Sequence, residues 1–91
     1  ITPNGTHAYV VNGASENVSV INIASNTVTA TIDVSASSFP QNIAITPDGS
    51  RAYVTSWSSY VSVINTGTNL VTGTIEVGPQ TTGIAIGTIP V

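Results

Sequence analysis

The sequence predicts an almost all-β protein built from a repeated four-stranded unit. Val, Ile and Thr make up 37 of the 91 residues, and their β-branched side chains suit a pleated strand. Residues that favour helices are scarce, since the chain has no Met or Lys, one Leu and two Glu. The third observation is that the sequence repeats itself at a spacing close to 43 residues.

Four sequence blocks occur twice and in the same order. The pairs are Ile1–Val10 with Ile45–Val54, Val18–Asn22 with Val61–Asn65, Val28–Val34 with Val71–Val77, and Ile43–Ile45 with Ile84–Ile86. Their offsets are 44, 43, 43 and 41 residues, and the length differences fall between the blocks, as expected for strands joined by loops. Such a period with four short strands is typical of a β-propeller blade. A generic β-sandwich with chance similarity is the alternative.

Each repeat is expected to supply strands named A to D. In the second repeat they are Asn42–Ile45, Arg51–Thr55, Tyr60–Asn65 and Leu70–Val77, and the first repeat supplies B, C and D as Thr6–Asn12, Asn17–Asn22 and Thr27–Val34. The segment Pro47-Asp48-Gly49 predicts a tight turn between A and B, because Pro fixes φ and Gly accepts positive φ. Strict alternation along strand D would place four residues on one side, Val71, Gly73, Ile75 and Val77.

The residues around strand B resemble the YVTN-type β-propeller repeat. The tetrapeptide that gives the family its name reads Tyr9-Val10-Val11-Asn12 in one copy and Tyr53-Val54-Thr55-Ser56 in the other. The flanking segments Ile43–Gly49 and Val18–Asn22 also match the family pattern. The family is common among archaeal and bacterial surface-layer and cell-surface proteins, and related propellers include enzymes. The resemblance therefore implies propeller blades and an extracellular or cell-surface location.

The order of the strands predicts an incomplete ring. Residues 1–41 would form a first blade without its own inner strand, 42–78 a complete second blade, and 79–91 an extra inner strand for a neighbouring blade. The strands then run B-C-D, A-B-C-D, A, all antiparallel within a blade. Two blades cannot close a propeller, which typically has ~4–8. After Ile86 the chain departs from the repeat, reading Gly87-Thr88-Ile89-Pro90-Val91.

The extra strand is predicted to be an assembly strand, formed by Gly83, Ile84, Ala85 and Ile86. It could pair with the first blade of another chain, which is β-augmentation between copies. Repeated head to tail, this contact makes a homo-oligomeric ring of three or four chains, or a filament. Two alternatives stay open, a terminal fragment of a longer propeller and an engineered half-propeller.

Charge excludes several function classes. The formal net charge is −3, from five charged residues, and the chain has no Cys and one His. A single Arg cannot neutralise a phosphate backbone, so nucleic acid is not expected as a partner. No stretch approaches the ~18 apolar residues of a membrane span. One His and no Cys leave no nucleophile–base pair and no metal site, so no catalytic, cofactor-binding or metal-binding residue is predicted.

Four residues are candidates for contacts outside the fold. Trp57 and Tyr60 lie at the B–C loop, where the first repeat has no aromatic residue, and could bind a carbohydrate or a protein surface. Local packing is the alternative for both. Asn4 and Asn17 each begin an Asn-x-Ser/Thr triplet, the acceptor pattern for N-glycosylation.

The expected function is a non-enzymatic structural or interaction module outside the cell. It would self-assemble head to tail by strand exchange and would be surface-layer or adhesion-like. The alternative is a piece of a larger propeller that binds a ligand or carries an enzyme active site elsewhere. Strand A would line the central channel, and it offers Ile-Ala-Ile beside Gln41 and Asn42, which supplies no nucleophile.

Overall fold

The structure is a computed structural model, and it describes residues 1–35, 39–57 and 60–77. Sheet 1 has the order β1-β2-β3 and sheet 2 the order β4-β5-β6-β7, with antiparallel pairing throughout. The strands are β1 (His7–Asn12), β2 (Asn17–Asn22), β3 (Thr27–Asp33), β4 (Pro40–Ile45), β5 (Arg51–Ser56), β6 (Tyr60–Asn65) and β7 (Leu70–Glu76). Within these ranges every regular secondary-structure element is a β-strand, so the predicted all-β class is confirmed.

The predicted strands agree with the structure to within two residues. The largest difference is at β4, which begins at Pro40 rather than Asn42. Pro40 pairs with Ser56, and an irregularity between Pro40 and Asn42 absorbs the extra residue. β3 ends at Asp33 rather than Val34, because the Asp33 carboxylate accepts a hydrogen bond from the Ser35 amide (2.8 Å) in a turn. The predicted assembly strand at residues 83–86 lies outside the described residues.

The predicted alternation of strand D is wrong at one position. A register shift between Val63 and Ile64 places Val71 opposite Ile64, while Gly73 lies opposite Val63. Thr72 is the extra residue, so Val71 shares a face with Ile64 rather than with Ile75. The sequence pattern could not reveal this, because a bulge changes the register without a characteristic residue at this site. The shift packs Val71 against the core.

The core lies between the two sheets. One face of each sheet, its inner face, turns towards the other sheet, and β1 lies against β4. The residues of the inner face of sheet 1 are Tyr9, Val11, Val18, Val20, Ala30 and Ile32, and those of sheet 2 are Ile43, Ile45, Ala52, Val54, Ile64 and Val71. Full burial of one such aliphatic side chain contributes roughly 1.5–3 kcal/mol. Packing between the sheets is therefore the main stabilising interaction.

One buried hydroxyl on β5 lacks a partner. The Thr55 side chain is 2% exposed, and its Oγ1 makes no hydrogen bond within the described part of the chain. The equivalent position in sheet 1 is Val11, which has the same shape without the hydroxyl. Thr55 thus carries the cost of removing a polar group from water without a compensating hydrogen bond.

Replacing this hydroxyl with a methyl group should stabilise the fold. We expect Thr55→Val to raise the free energy of unfolding by about 1 kcal/mol, and Tm by roughly 4–8 °C, in thermal melts followed by circular dichroism. Thr46→Val is the matched control and should lower Tm, because the Thr46 hydroxyl donates to Asp48 (2.7 Å). A lower Tm for Thr55→Val would contradict the assignment of an unpaired hydroxyl.

Candidate functional site

Three exposed aromatic residues lie at one end of sheet 2. Phe39 precedes β4, Trp57 follows β5 and Tyr60 begins β6, and their side chains are 62%, 53% and 38% exposed. The Trp57 amide donates a hydrogen bond to the Phe39 carbonyl (3.2 Å), and the Ser56 hydroxyl donates to the Tyr60 carbonyl (2.8 Å). Backbone pairing therefore brings the three residues to the same end of the sheet. We call them the aromatic edge.

The aromatic edge includes both predicted binding residues and one that the sequence analysis missed. Phe39 directly precedes strand A, and its position there was the available signal, because strand A starts at the end where strand B finishes. Its φ of +52° lies in the left-handed region, which is uncommon for a bulky residue. Glu76 pairs with Tyr60 in the register and adds a carboxylate. Exposed rings beside a hydrogen-bond acceptor can stack on a sugar or anchor a protein contact.

The two predicted glycosylation sites differ in accessibility. Asn4 is exposed, and its Oδ1 accepts hydrogen bonds from Thr2 Oγ1, Thr6 N and Thr6 Oγ1 at 2.7, 3.1 and 2.8 Å. Asn17 is half-buried, and its Oδ1 accepts a hydrogen bond from Asn12 Nδ2 (3.0 Å). Modification of either residue stays a prediction, and Asn4 is the more exposed acceptor.

The opposite end of the molecule carries two turns of the same design. Asp48 repeats the role of Asn4, since its Oδ1 accepts hydrogen bonds from Thr46 Oγ1, Ser50 N and Ser50 Oγ at 2.7, 3.0 and 2.8 Å. The glycine that follows has φ of +73° at Gly5 and +75° at Gly49, a conformation in which a side chain is strained. The predicted tight turn is therefore present in both repeats.

A polar cleft of about 290 Å³ lies between these two turns. Its lining includes Asn4, Asp48 and Thr66, together with His7, whose Nδ1 is 2.8 Å from Thr6 Oγ1. The lining offers hydroxyl, amide and carboxylate groups, which can bind water or a small polar molecule. No group of three His, Cys, Asp or Glu that could hold a metal ion occurs within the described ranges.

Hydrogen bonds keep the Asp48 carboxylate ionised. The Ser50 amide, followed by the Thr46 and Ser50 hydroxyls, lowers the Asp48 pKa to about 2. The Ser35 amide and hydroxyl likewise lower the pKa of Asp33. Donors aimed at a carboxylate favour its charged form, so the hydrogen bonds at Asp48 and at Asp33 each stabilise an ionised carboxylate.

The Asp48 turn should lose stability in acid. A pKa lowered on folding contributes stability that is present above the unfolded value near 3.9 and is lost as the pH falls towards 2. We expect Asp48→Asn, which copies the amide of Asn4, to reduce the fall in Tm between pH 4 and pH 2. Part of the fall should persist because Asp33 remains. Melts across this range that match those of the unmodified chain would contradict the assignment.

A buried tyrosine links the two sheets. Tyr9 is 8% exposed, and its hydroxyl donates a hydrogen bond to Asn69 Oδ1 (2.8 Å). Burial raises the Tyr9 pKa. Asn69 lies in the β6–β7 turn with φ of +54°, a left-handed conformation that Asn tolerates. Tyr9 therefore contributes both apolar packing in the core and a hydrogen bond to the other sheet.

Removal of the Tyr9 hydroxyl should weaken the contact between the sheets. We expect Tyr9→Phe to lower the free energy of unfolding by about 0.5–1.5 kcal/mol, measured by urea denaturation at neutral pH. Asn69→Gly should have a similar effect while keeping the backbone conformation. The two changes together should cost little more than either alone, and additive losses would show that the hydrogen bond is not the interaction lost.

Comparisons with known proteins identify the type of fold. No protein-family model matches the sequence, and no curated protein matches it. Among solved structures, the chain is similar to hydrazine synthase of Kuenenia stuttgartiensis, with 32% identity and a TM-score of 0.82 over 88% of this chain. It also resembles apo AztD from Citrobacter koseri, with 10% identity and a TM-score of 0.61 over 75% of this chain. Both neighbours are β-propeller-like.

The chain therefore has a β-propeller-like fold. It spans 23% of the hydrazine synthase chain and 18% of the AztD chain, so it is similar to a small part of each. None of these similarities assigns a role to the aromatic edge or to the polar cleft. Within the described ranges there is no helix long and apolar enough to cross a membrane.

Proposed function

We propose that the chain is a non-enzymatic interaction module made of two propeller blades, whose open sides are completed by further blades. In the form that we favour, these blades come from copies of the same chain joined head to tail by strand exchange. The product would be a ring or a filament with an extracellular, surface-layer or adhesion-like role. Low charge and a surface rich in Ser, Thr and Asn are compatible with that location.

The proposal rests on one edge of β1, which no described strand covers. In sheet 2, β5 pairs with β4 on one side and β6 on the other. The equivalent strand in sheet 1, β1, pairs with β2, and no described residue pairs with its other edge. An open edge presents unpaired N–H and C=O groups and is a template for an added strand. Ile84–Ile86 repeats Ile43–Ile45 of β4, and the segment 83–86 is the proposed added strand.

Apolar side chains on the outer side of sheet 1 support the same proposal. Val10 and Val28 are 43% and 60% exposed, and Ile23 is 36% exposed. Their neighbours on that face include Ala8 and Ile21, which are half-buried. A partner that covers this patch would remove apolar area from water, which favours association.

A longer propeller is the second candidate. The observation that favours it is the share of the similar hydrazine synthase chain that this chain spans, 23%. In this form the open edge and face would be covered by blades of the same polypeptide. Its activity would then depend on parts of the propeller outside these 91 residues.

The mass of the assembled chain tests the first form against the second. We expect the 91-residue chain to give multiples of 9.2 kDa by light scattering coupled to size-exclusion chromatography. Far-UV circular dichroism of the same fractions should show β structure. Three or four chains would indicate a closed ring, and a broad, growing mass would indicate a filament.

A folded monomer would contradict self-assembly. The disruptive variant is Val10→Lys, which places a charge on the exposed face of sheet 1. It should shift the mass towards the monomer while the β signal stays, and the next variant is its control. Thr72→Lys, at an exposed position of β7, should leave the mass unchanged. A β signal at 9.2 kDa for the unmodified chain at all concentrations would leave the longer propeller as the remaining candidate.

A further inference from the structure

The two sheets are equivalent residue by residue. The offset of 43–44 residues relates Tyr9 to Tyr53, Val10 to Val54, and Asn26 to Asn69. It also relates the two turns, because Gly5 and Gly49 share φ values of +73° and +75°. A contact within the chain can therefore be transferred to the equivalent residues by adding or subtracting one repeat.

The two sheets use different faces for the contact between them. Sheet 1 uses the face that carries Tyr9, Val18 and Val20, and sheet 2 uses the face that carries Val54 and Ile64. These two faces are not equivalent under the repeat. The equivalents of Val54 and Ile64 lie on the outer face of sheet 1, and the equivalents of Tyr9, Val18 and Val20 lie on the outer face of sheet 2. Each outer face therefore has the residue pattern of an inner face of the other sheet.

The outer face of sheet 1 matches the inner face of sheet 2. Its apolar residues are Ala8, Val10, Ile21 and Val28, which correspond to Ala52, Val54, Ile64 and Val71. All four pairs are identical in residue type. Val54 and Ile64 are fully buried by the other sheet, whereas Val10 is 43% exposed and Ile21 is half-buried. The same side chains are thus covered in one sheet and open in the other.

The outer face of sheet 2 matches the inner face of sheet 1. Its residues Tyr53, Val61, Val63 and Ile75 correspond to Tyr9, Val18, Val20 and Ile32. Thr55 and Val61 are already buried on this face. The positions left for a partner are Tyr53 and Val63, which are half-buried, and Ile75, which is 45% exposed.

We infer that a second copy of this chain docks the outer face of its sheet 2 on the outer face of sheet 1, and so repeats between chains the contact that joins the sheets within one chain. The inference rests on the proposed function and specifies its interface. The occupant is a second copy because the missing complementary face exists on the same molecule. The contact is heterologous, so the proposed assembly is head to tail.

The repeat also specifies a polar contact across this interface. Within the chain, the Tyr9 hydroxyl donates to Asn69 Oδ1 (2.8 Å). One repeat further on, the Tyr53 hydroxyl of one copy donates to the Asn26 side chain of the next. Asn26 has φ of +54°, the same as Asn69, so its backbone is already in the conformation that the contact uses. Asn26 is exposed and Tyr53 is half-buried.

A second contact follows from the turns. Pro3 packs on Gly49, since a Cβ atom at Gly49 would lie 3.3 Å from Pro3 Cδ. At Gly5, the equivalent position, a Cβ atom would meet no heavy atom of the described residues within 4 Å. The space over Gly5 is therefore open, and Pro47 of the neighbouring copy fits there by the same relation. The same repeat relation thus gives two contacts in this docking mode, one at Tyr53 and one at Pro47.

The test is a double-mutant cycle on the association of the full chain. Sedimentation velocity at a series of concentrations gives the association constant of the unmodified chain, of Tyr53→Phe, of Asn26→Gly and of the double variant. Each single change should weaken association by about 2- to 10-fold, the size of one hydrogen bond, and the double change should add little. Asn26→Gly keeps the left-handed backbone accessible.

Matched controls come from the equivalent pair inside the chain. Tyr9→Phe and Asn69→Gly should lower Tm and leave the association constant of the folded chain unchanged, the reverse of the effects at Tyr53 and Asn26. If the chain associates but Tyr53→Phe and Asn26→Gly leave the association constant unchanged or weaken it additively, this interface is wrong and self-assembly stands. If the unmodified chain stays a monomer at every concentration, both the interface and the self-assembly proposal are overturned.

Discussion

Packing between two apolar sheet faces is the interaction on which the rest of the structure depends. Val18, Val20, Val54 and Ile64 are almost completely excluded from water because each sheet covers the other. A sheet in this fold carries apolar residues on both faces, so the pair satisfies one face of each and leaves the others for further partners. The faces left uncovered, together with the edge of β1 that no described strand covers, are the surfaces that the proposed assembly uses.

Hydrogen bonds between polar groups stabilise the structure at the borders of this apolar packing. The Asn4 and Asp48 turns hold the ends of the strands through the same three hydrogen bonds. The Tyr9–Asn69 hydrogen bond joins the sheets at a position where a phenol is buried. At the other end, Phe39, Trp57 and Tyr60 are exposed, and their backbone contacts with β4, β5 and β6 fix where they stand. The exposed aromatic residues therefore lie at the other end of the molecule from the structural turns.

The repeat made most of the fold predictable from the sequence. It located the strands within the described ranges and the two turns. The bulge at Thr72 was not predictable, because the register depends on pairing with β6 rather than on any residue preference. Phe39 was missed for a related reason, because its place beside Trp57 depends on strand pairing across sheet 2.

Hydrogen exchange at β1 tests the central claim most directly, because the claim is that another copy completes this edge. Amide exchange of the full chain would be followed by NMR at concentrations where it is monomeric and where it is assembled. The account predicts that the β1 amides left unpaired by β2 become protected on assembly, while β5 amides are protected at both concentrations. Assembly without added protection at β1 would contradict strand exchange at this edge.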